Sequence, residues 1–301
     1  MPLAIYPVTA TFAAEIGGVD LATGAGPADL AAIRGAFAKY AVLVFPAQQL
    51  TAEQHLAFSA EFGPIEPSVD AAVKRENIRV RAGIADIANI DSAGKLWDEN
   101  DRRRSFQMLA NRLWHTDSSF KQPSGYASIL YARSIAPIGG NTEFADLRAA
   151  YDALAPDLKG RIAPLLAEHS ILNSRRRAGV GDFSAAESAA FAPVERPLVR
   201  RIPESGRQSL YIASHVGRIG ALAPVDAEEL LATLTAHATQ RQFVYVHRWR
   251  VGDLLMWDNR CTMHRGRDFD DLRWPRDLQR VTTSDRADAF ADAARLAAVR
   301  I

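Results

Sequence analysis

Short apolar runs of strand length recur along most of the chain, with glycine-containing turns between them. Residues 41–45, 126–132 and 243–249 are examples, and Gly17-Gly18 is predicted to form a hairpin turn near the N-terminus. Strands this short argue against a doubly wound parallel sheet, in which each strand is followed by a long helix. The pattern favours a mostly β fold, a barrel or jelly roll decorated by helices.

Helices are predicted at a few places between these strands. Residues 30–40 carry apolar side chains at the spacing of one helix face. Thr51 and Gln54 have the spacing of a capping box, which starts a second helix that runs to about Phe62. Asp146 can cap a third helix, and a fourth is predicted over residues 224–238.

The chain of 301 residues, 48% of them hydrophobic, is long enough for one large core. It contains no repeats and no low-complexity linker, so a single domain over residues 1–301 is predicted. The pattern weakens between about 66 and 110, where charges are dense. A long segment of this kind is often a lid or substrate loop. An ordinary surface excursion is the alternative, and the sequence leaves both open.

Composition narrows the class of protein. Lysine and arginine number 36 against 35 acidic residues, so nothing points to nucleic acid or a membrane surface as a partner. The arginine clusters at 102–104 and 175–177 are interpreted mainly as solvated loops, although some of these side chains could guide an anionic substrate inward. Cys261 is the single cysteine, the N-terminus lacks a signal-peptide pattern, and no apolar run reaches the roughly 20 residues of a membrane span. A cytoplasmic protein is expected.

The chemically most informative stretch is residues 113–120, in which His115 and Asp117 stand two positions apart. Residues i and i+2 of a strand point to the same face, so both side chains can reach one metal ion from one strand end. A third ligand must come from elsewhere, and His264 is the best candidate because residues 257–260 before it resemble a strand end and turn. Two histidines and one carboxylate that leave the opposite face open are the ligand set of non-haem Fe(II) oxygenases.

Oxygenases of the oxoacid type also bind a dicarboxylate co-substrate, and its far carboxylate needs a guanidinium. Arg276 and Arg280 follow His264 at a spacing of four. Thr142, after the Gly139-Gly140 turn, is a candidate hydroxyl beside the guanidinium. Either Arg276 or Arg280 could hold this carboxylate, because a shift of one residue in the loop before them would exchange their positions.

These motifs together resemble the taurine dioxygenase/2,4-dichlorophenoxyacetate dioxygenase family of Fe(II)- and 2-oxoglutarate-dependent oxygenases. The segments that carry the resemblance are 114–120, 139–144, 257–265 and 276–280. Residues 146–154 and 247–253 are most similar to the phenoxyacetate branch. The resemblance is weakest over about 66–104. It implies a double-stranded β-helix (jelly roll) core and a soluble enzyme that is often a homo-oligomer.

The resemblance also implies roles for the co-substrate site. His115, Asp117 and His264 would ligate Fe(II), and O2 would react there. Arg276 would hold the far carboxylate of 2-oxoglutarate, with Thr142 beside it.

On the substrate side, Arg280 would lie near a carboxylate of the substrate or co-substrate. Asn111 matches a position close to the substrate, with a turn or cap role as the alternative. His215 is a weaker pocket candidate, because a hydrogen-bonded structural role is the favoured interpretation of both His215 and His169.

The reaction implied is hydroxylation of the carbon next to the ether oxygen of an aryloxyalkanoate. The products would be a phenol, glyoxylate or another oxo acid, succinate and CO2. The same chemistry on a small sulfonate such as taurine, or on another organic acid, is the first alternative. A jelly-roll binding protein without turnover is the second, and the intact ligand set argues against it.

Overall fold

The computed structural model describes residues 2–67, 79–101, 104, 109–181 and 183–285. Strands dominate this part of the chain. They are β1 (Ala4–Pro7), β2 (Ala13–Gly17), β3 (Val42–Phe45), β4 (Ala85–Ala88), β5 (Gly125–Ser134), β6 (Thr142–Asp146), β7 (Leu166–His169), β8 (Val194–Pro197), β9 (Val199–Arg201), β10 (Gln208–Leu210), β11 (Val216–Ile219), β12 (Val244–His247), β13 (Leu254–Asp258), β14 (Thr262–Gly266) and β15 (Asp277–Ser284).

Helices surround the strands. The α-helices are α1 (Pro27–Tyr40), α2 (Ala52–Ala60), α3 (Leu147–Asp152), α4 (Pro156–Ile162), α5 (Ile171–Arg177), α6 (Ala185–Ala190) and α7 (Pro224–Ala238). Two short 3-10 helices lie at Ala110–Arg112 and Arg241–Phe243. Within the described ranges, none of the helices has the length and apolar character that a bilayer crossing requires.

Two sheets frame the centre of the molecule. The larger has seven strands in the order β1-β2-β3-β13-β5-β15-β4, in which β2 and β3 run parallel and the other neighbours antiparallel. The second is antiparallel, in the order β12-β6-β14. Smaller sheets are formed by β11-β7-β8 and by β10-β9. Neighbours such as β13 and β5 are far apart in sequence, so the sheet brings distant motifs together.

Alternation along β13 shows why residues 254–257 are all apolar. Leu254 and Met256 pack into the core that the large sheet shares with α1 and α2. Leu255 and Trp257 point to the opposite face, where they pack in one cluster with Phe144 of the second sheet. A strand that is buried on both faces needs apolar residues at every position.

Several predicted elements are confirmed. The helix predicted over 30–40 is α1, and the capping box at the start of α2 is formed by two reciprocal hydrogen bonds between Thr51 and Gln54. The hairpin turn predicted at Gly17-Gly18 is wrong. β1 does pair with β2 in a hairpin, but residues 8–12 make the turn, and Gly17 pairs with Ala4 at the open end. The mostly β architecture with helices around it is as predicted.

His55 is a buried histidine in α2. It lies on the inner face of α2 with 1% of its surface exposed, and its Nε2 donates to the carbonyl of Ile129 at 3.1 Å. Its Nδ1 is buried without a hydrogen-bond partner in the part of the chain that the structure describes. Burial lowers the pKa of His55 from 6.5 to about 4.

This shift predicts an acid-sensitive contribution to stability. The depressed pKa means that the folded state favours neutral His55, so the contribution is complete above pH 6.5 and is lost as the pH falls towards 4. Between pH 7.5 and pH 5, the free energy of unfolding measured with urea should fall by about 2 kcal/mol more for the wild type than for His55→Gln, in which glutamine keeps a donor for the Ile129 carbonyl. His237→Gln is the matched change at a less buried histidine. Equal pH dependence of the wild type and His55→Gln would contradict the prediction.

Candidate active site

His115 and His264 are joined directly through their main chains. The amide of His115 donates to the carbonyl of His264 at 3.0 Å, and the amide of His264 donates to the carbonyl of His115 at 2.8 Å. This isolated antiparallel bridge brings the two imidazoles to a centroid separation of 4.1 Å. The side-chain hydroxyl of Thr116 donates to the carbonyl of Thr262 at 2.8 Å and extends the attachment. The sequence-distant ligands therefore have a fixed spacing.

Asp117 lies at the beginning of a turn, and a single bridge replaces the strand end expected at His115. The carboxylate is nevertheless fixed from several sides. Ser128 of β5 donates its hydroxyl to Asp117 Oδ2 at 2.8 Å, and Arg280 of β15 donates to Oδ1 at 2.6 Å. Asn259 accepts from the amide of Asp117 at 3.2 Å and donates to Ser128 at 2.9 Å.

The orientation of the two imidazoles has different causes. Nδ1 of His115 donates to the carbonyl of Leu113 at 2.8 Å, which leaves Nε2 as a lone-pair donor. His264 has no hydrogen-bond partner for its buried Nδ1 among the described residues. Packing against Trp257 and Phe144 holds its ring instead. The ring centroids of these residues lie 4.7 and 5.9 Å from that of His264.

The three side chains can hold a divalent metal. One ligand atom from each of His115, Asp117 and His264 lies within 4.8 Å of the others. The His115 Nε2–Asp117 Oδ1 and His264 Nε2–Asp117 Oδ2 distances are 3.8 and 3.7 Å, too long for hydrogen bonds. Two ligand atoms that are each about 2.1 Å from one ion lie about 3 to 4 Å apart, so the set has the right size.

Electrostatics keeps these groups in the protonation states that a metal needs. Burial by itself would raise the pKa of Asp117, but the positive charge of Arg280 and the Ser128 hydrogen bond hold that pKa well below its usual range. Burial lowers the pKa of His115 and of His264. A carboxylate and two neutral imidazoles are therefore present at neutral pH.

Beside the triad is a cavity that contains the two residues predicted to bind a co-substrate. Thr142 and Arg276 line it together with His115, His264 and Arg280. It has further lining residues, Ile87, Asn111, Arg112, Leu130, Trp257, Gly266, Arg267 and Phe269.

Arg276 is a buried guanidinium with no carboxylate within ion-pair distance in the described ranges. It is 8% exposed, and its Nη2 donates to the carbonyl of Gly140 at 3.4 Å. Gly139 and Gly140 both have positive φ, and a Cβ on Gly139 would lie 2.5 Å from the carbonyl oxygen of Asp268, so the turn requires glycine there. Burial lowers the pKa of Arg276 to about 10. A buried cation in this state is suited to an anionic ligand.

A second cavity adjoins the first at the triad. His115, Asp117, Asn111, His215 and Arg280 line it, so the three residues predicted for the substrate side are brought together. Its apolar lining includes Ile87, Phe120 and Ile171.

Arg175 corrects one interpretation of the sequence. It was predicted to be a solvated loop residue, but it lies in α5, is 9% exposed and lines the second cavity. Its positive charge contributes to the lowered pKa of His115 and of His215. Its position in a run of arginines concealed this, because Arg176 and Arg177 beside it are exposed. The alternative of guiding an anion inward suits Arg175.

Sequence reasoning also missed a cluster at the rim of this cavity. Glu66 is buried, accepts a hydrogen bond from the hydroxyl of Ser118 and lies 3.3 Å from Nζ of Lys121. Ser118, with φ of +55°, directly follows Asp117. These contacts join Glu66, at the start of the predicted lid segment, to the turn that begins at Asp117. No local sequence pattern around Glu66 predicts them.

Only part of the predicted 66–110 lid segment can be compared, because residues 68–78, 102, 103 and 105–108 lie outside the described residues. The described portion contributes Glu66, Pro67, Gly83, Ala85, Asp86, Ile87 and Ala110 to the second cavity. These residues border the second cavity, and the assignment of the segment as a lid or substrate loop stays a prediction.

Comparison with known proteins decides the family. The family model described as taurine catabolism dioxygenase TauD, TfdA family, matches residues 4–282. The chain belongs to this family. As a TauD/TfdA member it is a 2-oxoglutarate-dependent dioxygenase, and such enzymes need Fe(II), 2-oxoglutarate and O2. The triad has the chemistry that this requirement demands.

Two curated relatives and one solved structure illustrate the similarity. The alpha-ketoglutarate-dependent 2,4-dichlorophenoxyacetate dioxygenase of Cupriavidus pinatubonensis is 44% identical over 95% of this chain and 99% of its own length. The (S)-phenoxypropionate/alpha-ketoglutarate-dioxygenase of Sphingobium herbicidovorans is 38% identical over 88% of this chain and 90% of that protein. The crystal structure of AAD-2 with Mn(II) and N-oxalylglycine superposes with a TM-score of 0.90 at 42% identity, covering 94% of this chain and 98% of AAD-2.

Metal binding gives a direct test of the triad. Asp117→Asn keeps the side-chain shape but removes the charge, so Mn(II) affinity should fall by more than 100-fold, beyond the roughly 10- to 100-fold loss expected for Ser128→Ala, which only supports the ligand. The signal of free Mn(II) in electron paramagnetic resonance measures both. Asp157→Asn, in the first turn of α4, is the matched surface change. Wild-type affinity in Asp117→Asn would show that the ion binds elsewhere.

Proposed function

We propose that this dioxygenase hydroxylates aryloxyalkanoates at the carbon next to the ether oxygen. The hemiacetal product would collapse to a phenol and glyoxylate, or another oxo acid, while 2-oxoglutarate becomes succinate and CO2. The observation that carries the proposal is the pair of cavities that meet at the triad, one with Thr142 and Arg276 and one with His215 and Arg175. The names of the similar proteins support the substrate class.

We assign Fe(II) to His115, Asp117 and His264. When bound, the ion activates O2 together with 2-oxoglutarate for attack on a C–H bond. The protein's part is to hold the ligands without rearrangement, through the His115–His264 bridge and the contacts of Asp117.

We assign the far carboxylate of 2-oxoglutarate to Arg276 and Thr142. Nε1 of Trp249 donates to Oγ1 of Thr142 at 2.9 Å, so the threonine proton remains available to donate to an anion. Arg276 supplies a positive charge that is largely shielded from bulk water by burial. Arg280, by contrast, is engaged with the Asp117 carboxylate, which supports giving the co-substrate to Arg276.

We assign the organic substrate to the second cavity. Phe120, Ile171 and Ile87 offer apolar surface to an aromatic ring, and Arg175 with Arg280 places positive charge near the triad for the carboxylate. Asn111 and His215 border the same space. A carboxylate held at this end would direct the neighbouring C–H bond towards the metal, which is a positioning effect.

The proposal also covers the fold of the core and the oligomeric state. The β12-β6-β14 sheet and the central strands of the large sheet would form the two halves of a double-stranded β-helix (jelly roll). A single domain over 1–301 and a homo-oligomer remain predictions, and size-exclusion chromatography with light scattering tests the second.

A substrate panel tests the reaction. The purified protein with Fe(II), 2-oxoglutarate and O2 should form succinate and a phenol with phenoxyacetate or with either hand of 2-phenoxypropionate, and His115→Ala should reduce both below detection. Taurine serves as the sulfonate comparison. Succinate formation with taurine alone would replace the proposed substrate class by a sulfonate.

Arg276→Ala tests the co-substrate assignment. Loss of a charge-assisted contact should raise the KM for 2-oxoglutarate by about 10- to 100-fold and change the KM for the organic acid far less. Arg273→Ala removes an exposed guanidinium from the same loop and is the matched control. An effect of Arg276→Ala on the organic acid alone would require the exchange of Arg276 with Arg280.

A further inference from the structure

Ser119 lies between two buried histidines, one of which lines the second cavity. Its Oγ is 2.9 Å from Nδ1 of His169 and 3.2 Å from Nδ1 of His215. Ser119 and His169 have no exposed surface, and His215 is 4% exposed. His215 is the member that lines the cavity, where its ring lies 6.0 Å from that of His115.

Only certain positions of the protons are compatible with both hydrogen bonds of the His169–Ser119–His215 chain. A hydroxyl has one proton and accepts through its lone pairs, and a neutral imidazole carries one proton on one of its two nitrogens. If Nδ1 of His169 donates to Ser119, the serine proton can go to Nδ1 of His215, whose own proton is then on Nε2. In the reverse order His215 donates through Nδ1, and His169 must carry its proton on Nε2. If both rings donate, the serine proton has no acceptor.

The surroundings of His169 favour the first order. Its Nε2 is buried without a hydrogen-bond partner among the described residues, and its ring stacks on Tyr211 at 5.5 Å. An N–H proton in that position would be an unsatisfied buried donor, which proteins avoid more strictly than an unused lone pair. Burial, with the charge of Arg196, lowers the pKa of His169 to about 3, so the ring is neutral.

We infer that His169 is a positioning residue that, through Ser119, fixes His215 as the tautomer whose Nε2–H is a hydrogen-bond donor to the substrate. Nδ1 of His215 is used towards Ser119, so Nε2 is the ring nitrogen left for the cavity. The donor would act on an oxygen of the organic acid, in the same cavity as Arg175, Arg280 and the amide of Asn111. This inference rests on the proposed function only for the identity of the acceptor.

Nitrogen-15 spectra of the histidine rings test the tautomer without any turnover. The full chain, labelled at histidine and loaded with diamagnetic Zn(II) and 2-oxoglutarate, should show His215 protonated on Nε2 and unprotonated on Nδ1, and His169 the opposite. His169→Asn and His215→Asn spectra assign the signals. A proton on Nδ1 of His215, or on both its nitrogens, would overturn the inference even if the substrate panel succeeds. The expected tautomers with an inactive panel would overturn only the proposed function.

Kinetics tests the positioning role. His169→Phe keeps a ring against Tyr211 but removes the donor, so the KM for the organic acid should rise about 2- to 10-fold, the range for one neutral hydrogen bond, with the KM for 2-oxoglutarate unchanged. His169→Asn, whose amide N–H can replace Nδ1–H, should recover most of the loss.

His55→Phe makes the same change at a buried histidine outside the site and should leave both KM values unchanged. Thermal melting of each variant shows whether it folds. Equal KM values for the organic acid in wild type and folded His169→Phe would contradict the role, as would equal defects in the Phe and Asn variants. If His169→Phe does not fold, the spectra of the wild type still decide the inference.

Discussion

The reciprocal main-chain hydrogen bonds between His115 and His264 are the constraint on which the site depends. They join two segments that are far apart in sequence, and they do so at the ligand positions themselves. Pairing of β14 with β6 fixes the His264 side, while Asn259 and Ser128 fix Asp117. Because these contacts are already made, binding of a metal need not order the ligands, and little conformational entropy opposes it.

The arginines around the triad lie in different electrostatic environments. Arg280 stabilises the ionised form of Asp117, whereas Arg276 is buried with a carbonyl as its nearest acceptor. Arg175 adds positive charge in the second cavity. A site for two anions needs one cation for each, and under the proposed function the two unlike environments would give 2-oxoglutarate and the organic acid different places to bind.

Much of this could be predicted from the sequence because the signals were local. The capping box of α2, the alternation of the strands and the His115-x-Asp117 spacing all lie within a few residues. Arg175 and Glu66 could not be predicted this way, because their roles depend on tertiary packing: α5 turns Arg175 inward, and Ser118 and Lys121 meet Glu66 across the chain. The Gly17-Gly18 turn failed because a glycine pair signals a turn but does not exclude a strand end.

Diffraction from crystals grown with Mn(II) and 2-oxoglutarate would test the ligand assignments, because the anomalous signal locates the ion and the density locates the co-substrate. We expect one ion bound by His115, Asp117 and His264, with the far carboxylate of 2-oxoglutarate on Arg276 and Thr142. An ion that lacks any of the three ligands, or a far carboxylate that lies on Arg280 or Arg175, would contradict these assignments.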